Sequence, residues 1–178
     1  HAASSLQVIS DFSESMAAVY KMKNLGTPSL MVGIKVEVTS DSLRLSQAHY
    51  VRQVAETFRQ LDAAPAQSPA SQHGCLGPSP SAGGAPLDTS VFPYLSLVGS
   101  LLWVTITRPD IAAAVGRACK HSKAPTNAHW RAAIRILRYL LATNDLSLVY
   151  PVRRRPITVT AYADAAYGNE LAKRSRYG

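Results

Sequence analysis

The sequence predicts an α+β fold, with a β-hairpin first, a mostly helical middle, and further strands towards the C-terminal end. Apolar residues alternate along residues 29–38, which is typical of a strand. Between residues 91 and 142 they recur instead at three- and four-residue spacing, as on the buried faces of helices. Two strand-like runs, 146–150 and 157–167, follow the helices.

The composition indicates a chain that can bury a core. Its 178 residues suffice for one ordinary domain or for pieces of two, and 47% of them are hydrophobic, with a mean hydropathy of −0.02. No apolar run reaches the roughly 18 residues that a membrane helix needs, so we expect no membrane partner. Cys75 and Cys119 lack the spacing of a zinc site, and a reducing compartment suits both thiols.

The first predicted elements are a hairpin and a helix. One side of the 29–38 strand carries Leu30, Val32, Ile34, Val36 and Val38. Residues 39–42 predict a turn, and residues 43–47 predict the return strand. Ser46 can then cap a helix that runs to about Leu61.

A connector and three helices are predicted next. Residues 63–90 are rich in Pro, Gly, Ser and Ala, which favours a flexible connector. The first helix spans about 91–104, and its apolar face consists of Phe92, Leu95, Val98, Leu101 and Leu102. The second starts after Thr107 as N-cap, with Pro109 and Asp110 in its first turn, and buries Ile111, Ala114, Val115, Ala118 and Cys119. The third spans about 127–142 and buries Trp130, Ala133, Ile134, Leu137, Leu140 and Leu141.

The positive charge is concentrated in the last third of the chain. The net charge is +8 and the pI is about 9.8. Residues 117–178 carry 12 Lys/Arg and 3 Asp/Glu, whereas residues 1–116 carry 7 and 8. Arg131, Arg135 and Arg138 form a stripe along the third helix, and Arg153, Arg154 and Arg155 form a second cluster. This pattern suits a surface that contacts phosphates, and an ordinary solvated face remains the alternative.

Few residues have the pattern of a catalytic site. The sequence contains no hydrolase triad, Walker loop, zinc cluster or dinucleotide fingerprint. His49, His121 and His129 are scattered, which favours surface or capping roles. Asp164 lies near the end of a predicted strand, where a carboxylate can serve as a ligand in a two-metal phosphodiester site or simply occupy a turn.

Several motifs resemble a known family. They are "MKNLG" (22–26), "MVGIKVE" (31–37), "LSQAHYVRQV" (45–54), "YLSLVGSLLWVTITRPDIAAAVG" (94–116), "RILRYLLAT" (135–143) and "YADAAYGNE" (162–170). In this order they resemble the Pol polyprotein of copia-type LTR retrotransposons, over nearly the whole chain outside residues 63–90.

The resemblance implies a position within that polyprotein. Residues 1–62 would hold the edge of the reverse-transcriptase palm, with a primer-gripping hairpin in which Gly33 allows close backbone approach, and the first thumb helix. Residues 63–90 would be the connector, and residues 91–145 a thumb-like helical region. Residues 146–178 would begin an incomplete RNase H-like sheet, with Asp164 as its first metal-binding carboxylate.

The same resemblance implies which functions this chain lacks. The Tyr-x-Asp-Asp pair of the polymerase is absent from the sequence, and family members usually carry an acidic residue in place of Ala166 and an Arg in place of Leu95. The complete enzyme would use Mg2+, but two-metal chemistry needs several carboxylates. We therefore expect no tightly bound metal ion and neither polymerisation nor cleavage by this chain alone.

The expected partners are an RNA–DNA hybrid or template–primer duplex and the remainder of the Pol polyprotein. The expected location is intracellular, in a cytoplasmic retrotransposon particle or the nucleus. Two other interpretations stay open at this point. The chain can be a non-enzymatic interaction protein derived from the element, or a degenerate relic without activity.

Overall fold

The computed structural model describes residues 6–23, 25–70 and 86–151, together with the backbone of residues 165–166 and 176–177. The helices are α1 (Leu6–Val19), α2 (Ala48–Thr57), α3 (Tyr94–Val104), α4 (Ala112–Cys119) and α5 (Asn127–Ala142), with a 3-10 turn (Pro109–Ile111) before α4. The strands are β1 (Leu30–Met31), β2 (Ile34–Val38), β3 (Ser42–Ser46), β4 (Leu148–Pro151), β5 (Ala165–Ala166) and β6 (Arg176–Tyr177). The arrangement agrees with the predicted α+β class.

The main sheet joins three strands that precede the α2–α5 core to one strand that follows it. Its four antiparallel strands lie in the order β1-β2-β3-β4. Val36, Leu45 and Leu148 align across β2, β3 and β4, which places apolar residues in one cross-strand row. The strand predicted at 146–150 is therefore present, and its partner is the hairpin strand β3. β5 and β6 form a separate two-stranded pair.

Residues 29–38 do not form the single strand that their alternation predicts. The chain turns back between β1 and β2, where Val32 has φ of 50° and Gly33 has φ of 75°. Two consecutive residues with positive φ are the requirement of the two-residue type I′ hairpin turn. Glycine adopts this conformation without steric cost, whereas a β-branched valine does so rarely. The prediction of one continuous strand was wrong because Val32 continues the alternating apolar pattern, so the pattern does not indicate the turn.

α2 is shorter than predicted at both ends. The Ser46 hydroxyl accepts a hydrogen bond from the Ala48 amide at 3.2 Å, but the residue in the N-cap position is Gln47. The helix ends at Thr57 because Arg59 adopts φ of 54°. The Gln60 and Arg59 amides then donate to the carbonyl oxygens of Ala55 and Glu56, at 2.7 and 3.0 Å, which is the Schellman pattern.

The core lies between α2, α3, α4 and α5. The Tyr94 side chain is fully buried there, and its hydroxyl donates to the Ala118 carbonyl oxygen at 2.9 Å. Burial, with a smaller contribution from Cys119, raises the pKa of Tyr94 to about 12. The fully buried apolar side chains of the core include Leu97, Leu101, Val104, Ile111, Val115, Ile136, Leu137 and Leu140.

The predicted face of α3 is partly wrong. Val98 and Leu101 are buried as expected, but Leu95 is 65% exposed and Leu102 is 53% exposed. Tyr94, Leu97 and Val104 complete the buried face instead. Apolar residues occupy most of the circumference of this helix, so periodicity alone cannot identify which of them the neighbouring helices cover.

The two described flanks of the 63–90 connector contact the helices. Ala66 and Leu87 are buried, and the Leu87 amide donates to the Pro125 carbonyl oxygen at 3.0 Å. Residues 71–85 lie outside the described residues.

The helix α1, which the sequence pattern does not predict, is exposed along most of its described length. Phe12 and Val19 are among its exposed residues. Among the described helices, none has the length and apolar content to cross a bilayer.

Candidate nucleic-acid interface

The helix α5 positions the predicted arginine stripe. It begins at a capping box, in which the Thr126 amide donates to Nδ1 of His129 at 3.0 Å. Its bounds, Asn127–Ala142, match the predicted 127–142. Ala133, Ile134, Leu137 and Leu140 face the core as predicted, so Arg131, Arg135 and Arg138 are held on the other side of a well-anchored helix.

Two of these arginines hold the segment that follows α2. Arg135 donates from Nε to the Ser68 carbonyl oxygen at 3.1 Å and from Nη2 to the Ser68 hydroxyl at 3.2 Å. Arg138 donates from Nε to Oε1 of Gln60 at 2.9 Å. Both guanidinium groups have further donors beyond these bonds, because each carries five N–H groups. They therefore shape the site and still have hydrogen-bonding capacity for a ligand.

An open cleft of about 980 Å³ lies between this segment, α4 and α5. Its walls include four arginines, namely Arg117 from α4 and Arg131, Arg135 and Arg138 from α5. None of the described residues that line it is acidic. A concave surface with one sign of charge concentrates ligands of the opposite sign, so the cleft favours anions.

Arg117 is not part of the arginine stripe that the sequence predicts. This arginine belongs to the basic last third of the chain, but it lies on another helix than the stripe, and nothing in the sequence brings the two together. Arg117 is half-buried and Arg131 is exposed. In the part of the chain that the structure describes, neither guanidinium group has a hydrogen-bond or ion-pair partner. The cleft thus holds two positive charges that the described residues leave uncompensated.

Arg108, from the Thr-Arg-Pro-Asp motif, has the opposite environment. It is only 5% exposed. Its guanidinium donates to both carboxylate oxygens of Asp110, at 2.9 and 2.7 Å, and to the carbonyl and hydroxyl oxygens of Thr143, at 2.9 and 2.7 Å. It also lies 5.5 Å from the centre of the Tyr139 ring. Arg108 therefore ties the start of the 3-10 turn to the end of α5.

This network corrects the predicted helix start. Thr107 does not cap the helix, because its buried hydroxyl donates to Oε1 of Gln47 at 2.8 Å. Pro109 and Asp110 occupy the 3-10 turn that precedes α4. Burial alone would raise the pKa of Asp110, but the hydrogen bonds from Arg108 and Tyr139 and the charge of Arg108 outweigh it and lower the pKa.

A histidine pair lies at the start of α5. The rings of His121 and His129 are stacked, with centroids 3.8 Å apart and planes inclined by 12°. His129 is 9% exposed, and the capping role expected for such a residue is confirmed at this position. Burial, and secondly the charge that His121 can carry, lowers the pKa of His129. His129 is therefore a neutral acceptor at neutral pH.

The remaining predicted site residues are not brought together with the cleft. Gly33 lies in the β1–β2 turn, and a side chain at this position would meet no atom within 4 Å, so its positive φ accounts for the glycine. Arg153, Arg154, Arg155 and Asp164 lie outside the described residues. Among the residues that are described, no group of three or more His, Cys, Asp or Glu side chains is placed to hold a metal ion.

Comparison with known proteins shows that the sequence of this chain is similar to proteins of transposable elements. A retrovirus-related Pol polyprotein from a transposon of Nicotiana tabacum is 33% identical over 172 residues, which are 94% of this chain and 13% of that polyprotein. A second, from a transposon of Arabidopsis thaliana, is 30% identical over 146 residues, 78% of this chain and 9% of the polyprotein. The chain is similar to retrotransposon Pol polyproteins.

The similarity extends beyond the polyproteins themselves. An uncharacterised mitochondrial protein of Arabidopsis thaliana is 29% identical over 168 residues, which are 92% of this chain and 66% of that protein. The chain thus spans a small part of the Pol polyproteins it matches and about two thirds of this shorter relative. No protein-family model and no solved structure matches the chain. Together the findings support a polypeptide region derived from a retrotransposon Pol polyprotein.

Proposed function

We propose that this chain is the part of a copia-type reverse transcriptase that contains the end of the palm, the thumb-like helices and the start of RNase H, and that it holds nucleic acid. The observation that carries the proposal is the cleft lined by Arg117, Arg131, Arg135 and Arg138, whose described lining contains no acidic residue. Phosphates are the anions that such a surface contacts without regard to base sequence. The proposed ligand is an RNA–DNA hybrid or a template–primer duplex.

In this proposal the chain contributes binding and not catalysis. Mg2+ would belong to the complete enzyme, for which Asp164 is the candidate ligand in this sequence. Asp164 is a single candidate carboxylate and two-metal chemistry needs several, so the proposal assigns no catalytic step to this chain. Its proposed setting is the retrotransposon particle in the cytoplasm, or the nucleus, in association with the remainder of the polyprotein.

The test is the binding of a fluorescent RNA–DNA hybrid over a series of salt concentrations. The combined substitution Arg131→Ala, Arg135→Ala and Arg138→Ala is expected to weaken binding, and to reduce the slope of log affinity against log salt by about 2 to 3, since each phosphate contact contributes roughly 0.9. A control variant, Lys21→Ala with Arg44→Ala and Arg52→Ala, removes three positive charges from exposed sites away from the cleft.

Each outcome bears on the proposal. Equal losses in the two triple variants would show that net charge alone drives binding. Absence of hybrid binding at low salt would overturn the proposal altogether. Circular dichroism of both variants distinguishes lost contacts from lost folding, because Arg135 and Arg138 also support residues 60–70.

An apolar row on α3 favours a second candidate function, that of an interaction protein. Leu95, Leu102 and Ile106 are exposed large apolar residues that recur along one side of this helix and its C-terminal extension. Exposed apolar residues grouped along one side of a helix favour a protein partner. The expected signature is a defined oligomer in light scattering that Leu102→Glu disrupts, without affinity for nucleic acid.

A further inference from the structure

Arg117 is the most informative residue of the cleft. Its side chain is half-buried, so water solvates the guanidinium less completely than that of an exposed arginine. No described carboxylate, carbonyl or hydroxyl accepts a hydrogen bond from it. A partly desolvated charge without a partner is unfavourable, and an anionic ligand that enters the cleft would compensate it.

The cleft also contains an aromatic surface. Trp130 is half-buried and lines the cleft, while its ring packs against Phe58 and Phe92 with centroid distances of 5.9 and 5.4 Å. These neighbours hold the indole ring in place. A fixed aromatic ring beside positive charges is the combination that single-stranded nucleic acid uses, with bases on the ring and phosphates on the cations.

The aromatic ring distinguishes a single strand from a duplex. The volume of about 980 Å³ lies within the range of ligand pockets, about 300 to 1,000 Å³. In a duplex the bases stack on one another, and their faces are unavailable to a protein ring. Unpaired bases present a free face for stacking on aromatic side chains.

We propose that the cleft takes a single-stranded segment of nucleic acid, with Arg117 on a phosphate and Trp130 against a base. The inference rests on the proposed function and narrows it, because the α5 arginines of the cleft would hold the hybrid, and Arg117 with Trp130 would take the unpaired strand that continues from it. Arg131 lies at the exposed edge of the cleft, where both parts of the ligand can reach it.

The experiment compares a blunt RNA–DNA hybrid with the same hybrid carrying a single-stranded oligothymidine overhang, placed on either end. We expect the chain to bind the better of the two overhang substrates about tenfold more tightly than the blunt hybrid, since stacking of one base contributes roughly a factor of ten. Arg117→Ala is expected to weaken binding of the overhang substrate about tenfold more than binding of the blunt hybrid, so that the difference between the two substrates is lost. Arg44→Ala, at an exposed arginine of β3, is the matched control and should retain the difference.

A second readout reports on the aromatic surface directly. The chain contains two tryptophans, so Trp103→Phe leaves Trp130 as the only one. In this variant the overhang substrate is expected to quench tryptophan fluorescence more strongly than the blunt hybrid does. Equal quenching by both substrates would contradict a base against Trp130.

The outcomes separate this inference from the proposed function. Equal affinity for blunt and overhang substrates, or equal losses for both in Arg117→Ala, would overturn the single-strand cleft while leaving the hybrid-holding function intact. Absence of binding to any hybrid would overturn both. If a poly-glutamate peptide displaces the overhang substrate as effectively as free oligothymidine does, the single-strand cleft would be overturned in favour of an acidic peptide partner.

Discussion

Two contrasting environments occur among the described arginines of the helical region. Arg108 is nearly inaccessible to solvent, and its guanidinium makes four hydrogen bonds to Asp110 and Thr143. Arg117 and Arg131 line an open cleft and lack such partners within the described residues. Arg135 and Arg138 are intermediate, because each is half-buried and donates part of its N–H groups to residues 60–70.

This contrast teaches that the residue type alone does not identify a binding site. Both environments derive from the basic, motif-rich half of the sequence. An arginine whose donors are satisfied within the fold stabilises the fold. An arginine with unused donors in a cleft free of described carboxylates remains available to phosphates. The two groups therefore differ in what their removal should change.

The largest expected effect is on stability, at Arg108. The substitution Arg108→Met fills a similar volume but leaves the Thr143 carbonyl and the Asp110 carboxylate without their partner. We expect the free energy of unfolding to fall by about 3 kcal/mol, the lower end for a broken buried pair, because Asp110 is partly exposed. Urea denaturation measures this change.

Arg108→Lys is the conservative control for the same position. Lysine keeps the charge but cannot bridge Asp110 and Thr143 with a planar fork, so part of the stability should be lost. If Arg108→Met lowers the free energy of unfolding by less than about 1 kcal/mol, the buried Arg108 would not differ from the cleft arginines in its effect on stability.

A smaller effect on stability is expected at Arg138. Arg138→Ala removes the hydrogen bond to Gln60 in a half-exposed position, so we expect a loss of about 1 kcal/mol in the free energy of unfolding. Hybrid binding should weaken as well, since the same residue lines the cleft. If Arg138→Ala lowers only the free energy of unfolding, or only the hybrid affinity, Arg138 serves the fold alone or the cleft alone.

The smallest effect on stability depends on pH and arises at His129, a buried base that has no acidic partner among the described residues. Its pKa lies below the ordinary 6.5, first because of burial and then because of His121. The unfolded chain therefore binds this proton more readily, so the contribution to stability is complete above pH 6.5 and is lost as the pH falls through the lowered pKa. When Nδ1 of His129 is protonated, it also cannot accept the hydrogen bond from the Thr126 amide.

Urea denaturation at a series of pH values below neutrality measures this dependence. His129→Gln retains a side chain that can act in a capping box but does not titrate, so its stability should vary less with pH. His121→Gln should reduce the dependence only in part, because burial of His129 remains. An unchanged pH profile in His129→Gln would contradict this role of the ring.

The sequence was sufficient where one physical signal dominated. The helix α5 was predicted with the bounds that the structure gives, because its apolar spacing is regular. Val98, Leu101, Ile111 and Val115 were likewise placed in the core. The return strand after residue 42 follows from the turn residues that precede it.

The sequence was insufficient where tertiary context decides. Leu95 and Leu102 are as apolar as their buried neighbours, and only the packing of α3 leaves them exposed. Val32 has a strand-forming side chain in a turn conformation. The burial of Arg108 and the position of Arg117 beside the α5 stripe depend on how separate helices meet, which no local spacing encodes.

The most direct test of the central claim is a comparison of Arg131→Ala with Arg44→Ala, two single substitutions of exposed arginines. For each variant, the free energy of unfolding and the affinity for an RNA–DNA hybrid over a salt series are measured together. We predict that neither variant changes stability by more than about 0.5 kcal/mol, as is usual for surface sites. Only Arg131→Ala should weaken binding and reduce the salt slope, by about 0.9 for one phosphate contact. Equal salt slopes in the two variants would contradict the assignment of the cleft arginines to nucleic acid.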